Sequence, residues 1–172
     1  GAALVVHESP PLEPLLRAML RYSTNLTAEV VGLRAGQVRG GAPAGLADSA
    51  AAMTTWARAR YALSGATFTS HSGLTGDCRI APEEMVAVLR AEAGGVLPGL
   101  LRPRPILDRG GTPAAAKGVE AVAKTGTLDF VSGLAGYMTG RRRLAFAIFA
   151  ADLEQRAAIR PEERSAPPGA KG

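Results

Sequence analysis

Apolar residues recur at helical spacing from Leu12 to Leu89 and then alternate from Val119 to Ala151, so the chain changes period partway along its length. Ser9-Pro10-Pro11 offers a cap and a first-turn proline ahead of Leu12, Leu15, Leu16, Met19 and Leu20, which predicts a first helix. The pattern breaks at Tyr22-Ser23-Thr24-Asn25. Leu26, Val30 and Leu33 then fall on one face of a predicted second helix ending near Gly36, and Gly40 to Gly45 is a turn-rich loop. Leu46, Ala50, Met53, Ala57 and Tyr61 form a third stripe, followed by a polar loop from Thr67 to Asp77. Pro82-Glu83-Glu84 starts a fourth helix, with acids where the helix dipole favours them. Met85, Val88 and Leu89 are its expected buried face and Gly94-Gly95 its stop.

Residues 96–118 are rich in proline and glycine and read as a long irregular connection. Val119 to Thr127, Val131 to Thr139 and Leu144 to Ala151 then predict three strands, turning at Asp129 and at Arg141-Arg142-Arg143. Two short turns in succession make them an antiparallel meander. Leu153 to Ile159 is the expected closing helix, and residues 160–172, rich in Pro, Gly and charge, the expected disordered tail. Helices followed by a meander predict an α+β domain over residues 1–159, with helices against one face of the sheet. The opening GAALVV reads as a strand entered in mid-protein.

Composition narrows the chemistry. Aromatics are only 5% of the chain, so Leu, Val, Ile and Ala must fill the core. The net charge of +5 is modest, and no basic stripe interleaves with aromatic residues, which argues against a nucleic-acid partner. Cys78 is the single cysteine, excluding an internal disulfide and a cysteine-based zinc site. His7 and His71 lie far apart in different contexts, so no metal site is expected. No run approaches the ~20 apolar residues of a membrane-spanning helix.

Three short segments carry candidate chemistry: Ser23-Thr24-Asn25 between two helices, Ser70-His71-Ser72-Gly73-Leu74 in the polar loop, and Lys124-Thr125-Gly126-Thr127 on the first long strand. A lysine ammonium can hold a carboxylate, a threonine hydroxyl adds a directed hydrogen bond, and a glycine bares one strand face to an approaching peptide. Taken singly, each has a plainer reading. Ser23 and Asn25 could simply stop and cap helices, Lys124 could protect a sheet edge, and Ser72-Gly73 could be only a turn.

With their flanks, the runs SPPLEPLLRAMLRYSTNLTAEVVGL, HSGLTGDCRIAP and AKTGTLDFVSGLAGYM, in this order and followed by LAFAIFAA, resemble the D-alanyl-D-alanine carboxypeptidases of the penicillin-binding protein 4 type. The resemblance runs from about residue 5 to 155 and implies the C-terminal part of a β-lactamase/transpeptidase-like fold. It also implies a serine acyl-enzyme acting on peptidoglycan stem peptides that end in D-Ala-D-Ala, β-lactams as further ligands, no cofactor and a periplasmic setting. Ser23 matches the serine that hydrogen-bonds the catalytic lysine and relays a proton to the leaving amine. Asn25 matches the asparagine that holds that lysine or the substrate amide. Lys124 and Thr125 match the carboxylate-binding pair, Gly126 the open position, and the Thr127 N–H half of the oxyanion hole.

There are departures from the pattern. His71 and Ser70 stand before Ser72, where relatives usually carry an acid, and the stretch before K-T-G keeps only Arg109-Gly110-Gly111-Thr112. The nucleophile motif S-x-x-K is missing: none of Ser9, Ser23, Ser49, Ser64, Ser70, Ser72, Ser132 and Ser165 has a lysine three residues on. The expectation is that this motif lies N-terminal to residue 1. Residues 1–172 would then be inactive alone, would expose apolar surface on sheet and helices, and would need the missing N-terminal part as partner. The alternatives are a non-catalytic relative that binds peptidoglycan peptides or a partner protein, and a degenerate fragment.

Overall fold

The computed structural model describes residues 5–6, 8–113 and 118–159. Most of the opening apolar run, His7 and the expected tail at 160–172 lie outside the described residues. The elements in chain order are α1 (Leu12–Tyr22), α2 (Asn25–Val38), α3 (Leu46–Tyr61), α4 (Pro82–Ala91), α5 (Leu97–Leu100), β1 (Arg102–Arg104), β2 (Glu120–Leu128), β3 (Val131–Thr139), β4 (Arg143–Ala151) and α6 (Leu153–Ala158). They fall into two compact units, one of the described residues up to 80 together with 92–102 and the other of residues 81–91 together with the described residues from 103 onward.

In the first unit α2 packs on α3 through small residues. A methyl group added at Gly36 would sit 3.2 Å from Ser49 Oγ, and one at Gly32 would collide with the His71 ring at 2.1 Å. Ala50 and Ala57 on α3 are buried. Leu26 and Val30 are 78% and 58% exposed, because α2 turns its glycine edge inward and leaves this apolar i, i+4 pair outside. The expected cap of α1 is corrected. Pro11 occupies the N-cap without a side-chain hydrogen bond, and Ser9 lies upstream of it.

The second unit is built on a four-stranded sheet in the order β1-β2-β3-β4. The three long strands form the expected antiparallel meander, with β2–β3 registered from Glu120↔Thr139 to Leu128↔Val131 and β3–β4 from Val131↔Ala151 to Thr139↔Arg143. β1 and α5 lie in the stretch expected to be irregular. Pro103 explains β1: it pushes Arg102 into an extended conformation and, lacking an N–H, is tolerated on an outer strand. The glycine and proline content of the stretch concealed both elements. β2 is consequently not a sheet edge throughout, although a three-residue strand can flank only part of its nine residues.

α4 packs against β3 and β4. Tyr137 on β3 is only 2% exposed, and its hydroxyl donates to the Leu89 carbonyl at 2.6 Å. Glu84, in the first turn of α4, accepts the Ala81 N–H at 3.1 Å and so satisfies a donor ahead of the helix. At the sheet's other end, Asp152 caps α6 by accepting the Gln155 N–H, and its own N–H donates to the Phe130 carbonyl at 2.9 Å. Arg156, buried, donates to the Asp129 carbonyl at 2.9 Å. The β2–β3 turn, where Phe130 has a φ of 59°, is thereby clamped. Apolar side chains are exposed on helices and sheet, at Tyr22, Leu26, Val30, Leu144 and Ile148.

Gly136 is where β3 comes closest to β2: an added Cβ would lie 2.1 Å from the Val122 carbonyl oxygen and 2.6 Å from the Ala123 Cα. Backbone cannot swing aside as a side chain can. Gly136→Ala is expected to destabilise the protein by about 1–3 kcal/mol, read as a lower denaturation midpoint at unchanged m-value.

Candidate active site

Ser23 and Asn25 lie where α1 gives way to α2 in the first unit. Ser23 closes α1 in a left-handed conformation, with φ 54° and ψ 46°, and the Thr24 N–H reaches back to the Met19 carbonyl at 3.3 Å. Glycine is the residue that adopts this conformation without strain, so a serine here costs about 1 kcal/mol. Thr24 holds the N-cap of α2 without a side-chain hydrogen bond, and Asn25 is the first residue of that helix. Helix capping by the Asn25 side chain is therefore not its role. Ser23 and Asn25 are both exposed.

The polar loop is tied to α2 by a residue that belongs to none of the three motifs. Glu29 accepts the backbone N–H groups of Ser72 at 3.0 Å and His71 at 3.2 Å. Burial opposes its ionisation and is the largest single influence, but hydrogen bonds from the Ser72 side chain and from the two backbone groups outweigh it and bring the carboxyl below its ordinary range. Across the loop the His71 ring lies against Gly32, with Nε2 2.9 Å from Ser49 Oγ and Nδ1 3.3 Å from Met53 Sδ. This joins α2, α3 and the loop. Glu29 thus brings a carboxylate to the loop backbone from a helix. Only its distance in sequence hid it.

Lys124, Thr125, Gly126 and Thr127 are brought together by β2 in the second unit. Strand alternation sends Lys124 and Gly126 to one face and Thr125 and Thr127 to the other. Gly126 and Thr127 are exposed, and an added Cβ at Gly126 would meet nothing within 4 Å, so the strand is bare at that point. Two cationic heads converge on Thr125. Lys124 Nζ donates to its carbonyl oxygen, and Arg104 Nη2 from β1 donates to its hydroxyl at 3.1 Å. Burial and then the Arg104 charge lower the Lys124 pKa from its ordinary value. Arg104 also lines a cleft of about 350 Å³ between residues 103–106 and 119–122. Sequence reasoning missed Arg104, because it stands in the proline-rich stretch that gives no periodic signal.

The family model for D-Ala-D-Ala carboxypeptidase 3 (S13) matches residues 1–166. A search of curated proteins gave no match. Among solved structures, penicillin-binding protein 4 from Haemophilus influenzae is similar at 25% identity and a TM-score of 0.66, over 96% of this chain and 37% of that one. The same protein in complex with a β-lactam is similar at 25% identity and a TM-score of 0.65, over 86% of this chain. A predatory endopeptidase from Bdellovibrio bacteriovorus, solved with an immunity protein, shares the fold at 24% identity and a TM-score of 0.53, over 84% of this chain. The chain spans less than two-fifths of the length of these neighbours.

Two outcomes are expected from the first unit. Because the folded-state pKa of Glu29 is lowered, its contribution is full above about 4.5 and is lost as pH falls through the lowered value. Glu29→Gln should be less stable near neutrality and flatten the acid limb of stability against pH, measured by denaturant midpoints across that range. Ser23→Gly should raise stability by up to about 1 kcal/mol by relieving the left-handed strain, and an unchanged or lower midpoint would show that the serine is not strained.

Proposed function

Because this chain belongs to the D-Ala-D-Ala carboxypeptidase 3 (S13) family, we propose that it supplies the carboxylate-binding and proton-relay side of a serine-type carboxypeptidase or endopeptidase site. The substrates on this reading are peptidoglycan stem peptides ending in D-Ala-D-Ala, with β-lactams as acylating analogues, and the setting is the periplasm. The observation that carries the reading is β2 itself: Lys124 and Arg104 put two cations on Thr125, next to a glycine position open to an incoming peptide backbone.

The nucleophile belongs to an S-x-x-K segment outside residues 1–172. Its Oγ attacks the carbonyl of the terminal D-Ala-D-Ala bond as its proton passes to the motif lysine. The Thr127 N–H and the nucleophile's own N–H receive the developing oxyanion. Ser23 relays the proton to the leaving amine, Asn25 holds the motif lysine or the substrate amide, and D-Ala departs. Water then hydrolyses the ester. Lys124 and Thr125 hold the terminal carboxylate throughout, which fixes the scissile bond against the nucleophile.

The second reading is a relative that binds peptidoglycan peptides without turning them over. One experiment separates the two. A fluorescent penicillin should label the protein that joins this chain to an S-x-x-K segment and leave residues 1–172 alone unlabelled. Lys124→Ala should slow labelling by about a hundredfold or more. Covalent labelling of residues 1–172 by themselves would overturn the assignment of the nucleophile, and a complete protein that never labels would leave only the binding reading.

A further inference from the structure

We propose that Arg104 is a specificity-determining residue of this site, the second cation of a pocket that selects substrates ending in a free carboxylate. The inference rests on the carboxypeptidase reading and adds to it a residue from β1, outside the three motifs.

The hydrogen-bond inventory gives the reason. A guanidinium has five N–H donors and no acceptor, so in the 3.1 Å contact between Arg104 Nη2 and Thr125 Oγ1 the hydroxyl oxygen must accept. The Thr125 hydroxyl proton is then turned away from Arg104 and is available to donate. Lys124 Nζ donates to the carbonyl oxygen of the same residue, which brings a second cation to Thr125. A hydroxyl turned to donate, with two cations at its residue, fits a carboxylate rather than a neutral amide.

A second, independent observation concerns Arg104 itself. Its Nε is buried and has no hydrogen-bond partner among the described residues. A buried guanidinium N–H left unpaired is costly, and an incoming carboxylate oxygen would satisfy it. Arg104 also borders the cleft between residues 103–106 and 119–122. Lysine in its place would keep the charge but lose the fork that lets arginine bond a hydroxyl and a carboxylate at once.

The test uses the protein carrying this chain together with its S-x-x-K segment. Turnover of an N-acylated peptide ending in D-Ala-D-Ala is compared with that of the same peptide ending in a C-terminal amide. Arg104→Ala should reduce the acid-over-amide preference in kcat/KM by about ten- to a hundredfold, chiefly through a higher KM for the acid. Arg104→Lys should recover part of that preference. If Arg104→Ala slows acid and amide by the same factor and Arg104→Lys restores nothing, Arg104 merely braces β1 against β2 and the inference is overturned while the carboxypeptidase reading stands. If Arg104→Ala does not fold, Arg104→Lys decides alone, by losing part of the preference or by keeping all of it. A wild-type protein that turns over neither peptide would sink both.

Discussion

The register between β2 and β3 is the constraint on which the second unit depends. Side chains alternate along a strand, so a slip of one residue would exchange the faces occupied by Lys124 and Thr125 and disperse the group that converges on Thr125. Several features hold the register. Gly136 lets β3 lie against the Val122 and Ala123 backbone where any larger residue would push it off. Tyr137, next to it, is fixed by its bond to Leu89 of α4. The turn at the far end is held by α6 through Asp152 and Arg156. Packing, a missing Cβ and two side-chain anchors thus all specify one alignment.

Within that frame the electrostatics are set against folding rather than for it. Burial and the neighbouring Arg104 both disfavour the charged form of Lys124, so the folded state binds its proton less readily than the unfolded chain does. The resulting penalty is present at low pH and disappears as pH rises past the ordinary lysine range. Two like charges on one residue make sense where an anion is to be held, since a bound carboxylate relieves both the repulsion and the unpaired Arg104 Nε.

Much of this was legible in the sequence, and the reasons for the gaps are physical. The period-2 run from Val119 and the helical stripes of α3 and α4 follow from burial of one face, and with the stripe of α1 they gave the α+β class and the meander. Motif spacing marked Ser23, Asn25 and Lys124 to Thr127. The packing of α2 was not legible, because Gly32 and Gly36, which carry no hydrophobic signal, make its close contacts and leave Leu26 and Val30 outside. Glu29 and Arg104 were invisible for a related reason. Each acts on a partner remote in sequence, through backbone N–H groups or a hydroxyl, and neither periodicity nor a local motif records such a pairing.

The clamp on the β2–β3 turn has a consequence for how the protein is made. Synthesis runs from the N-terminus, so Lys124, Thr125 and Gly126 leave the ribosome before Asp152 and Arg156 exist. Until those two residues emerge, the Asp129 and Phe130 carbonyls lack the donors that fix the turn in the finished structure. During that interval the strand carrying the K-T-G group is a nascent hairpin without its far anchor.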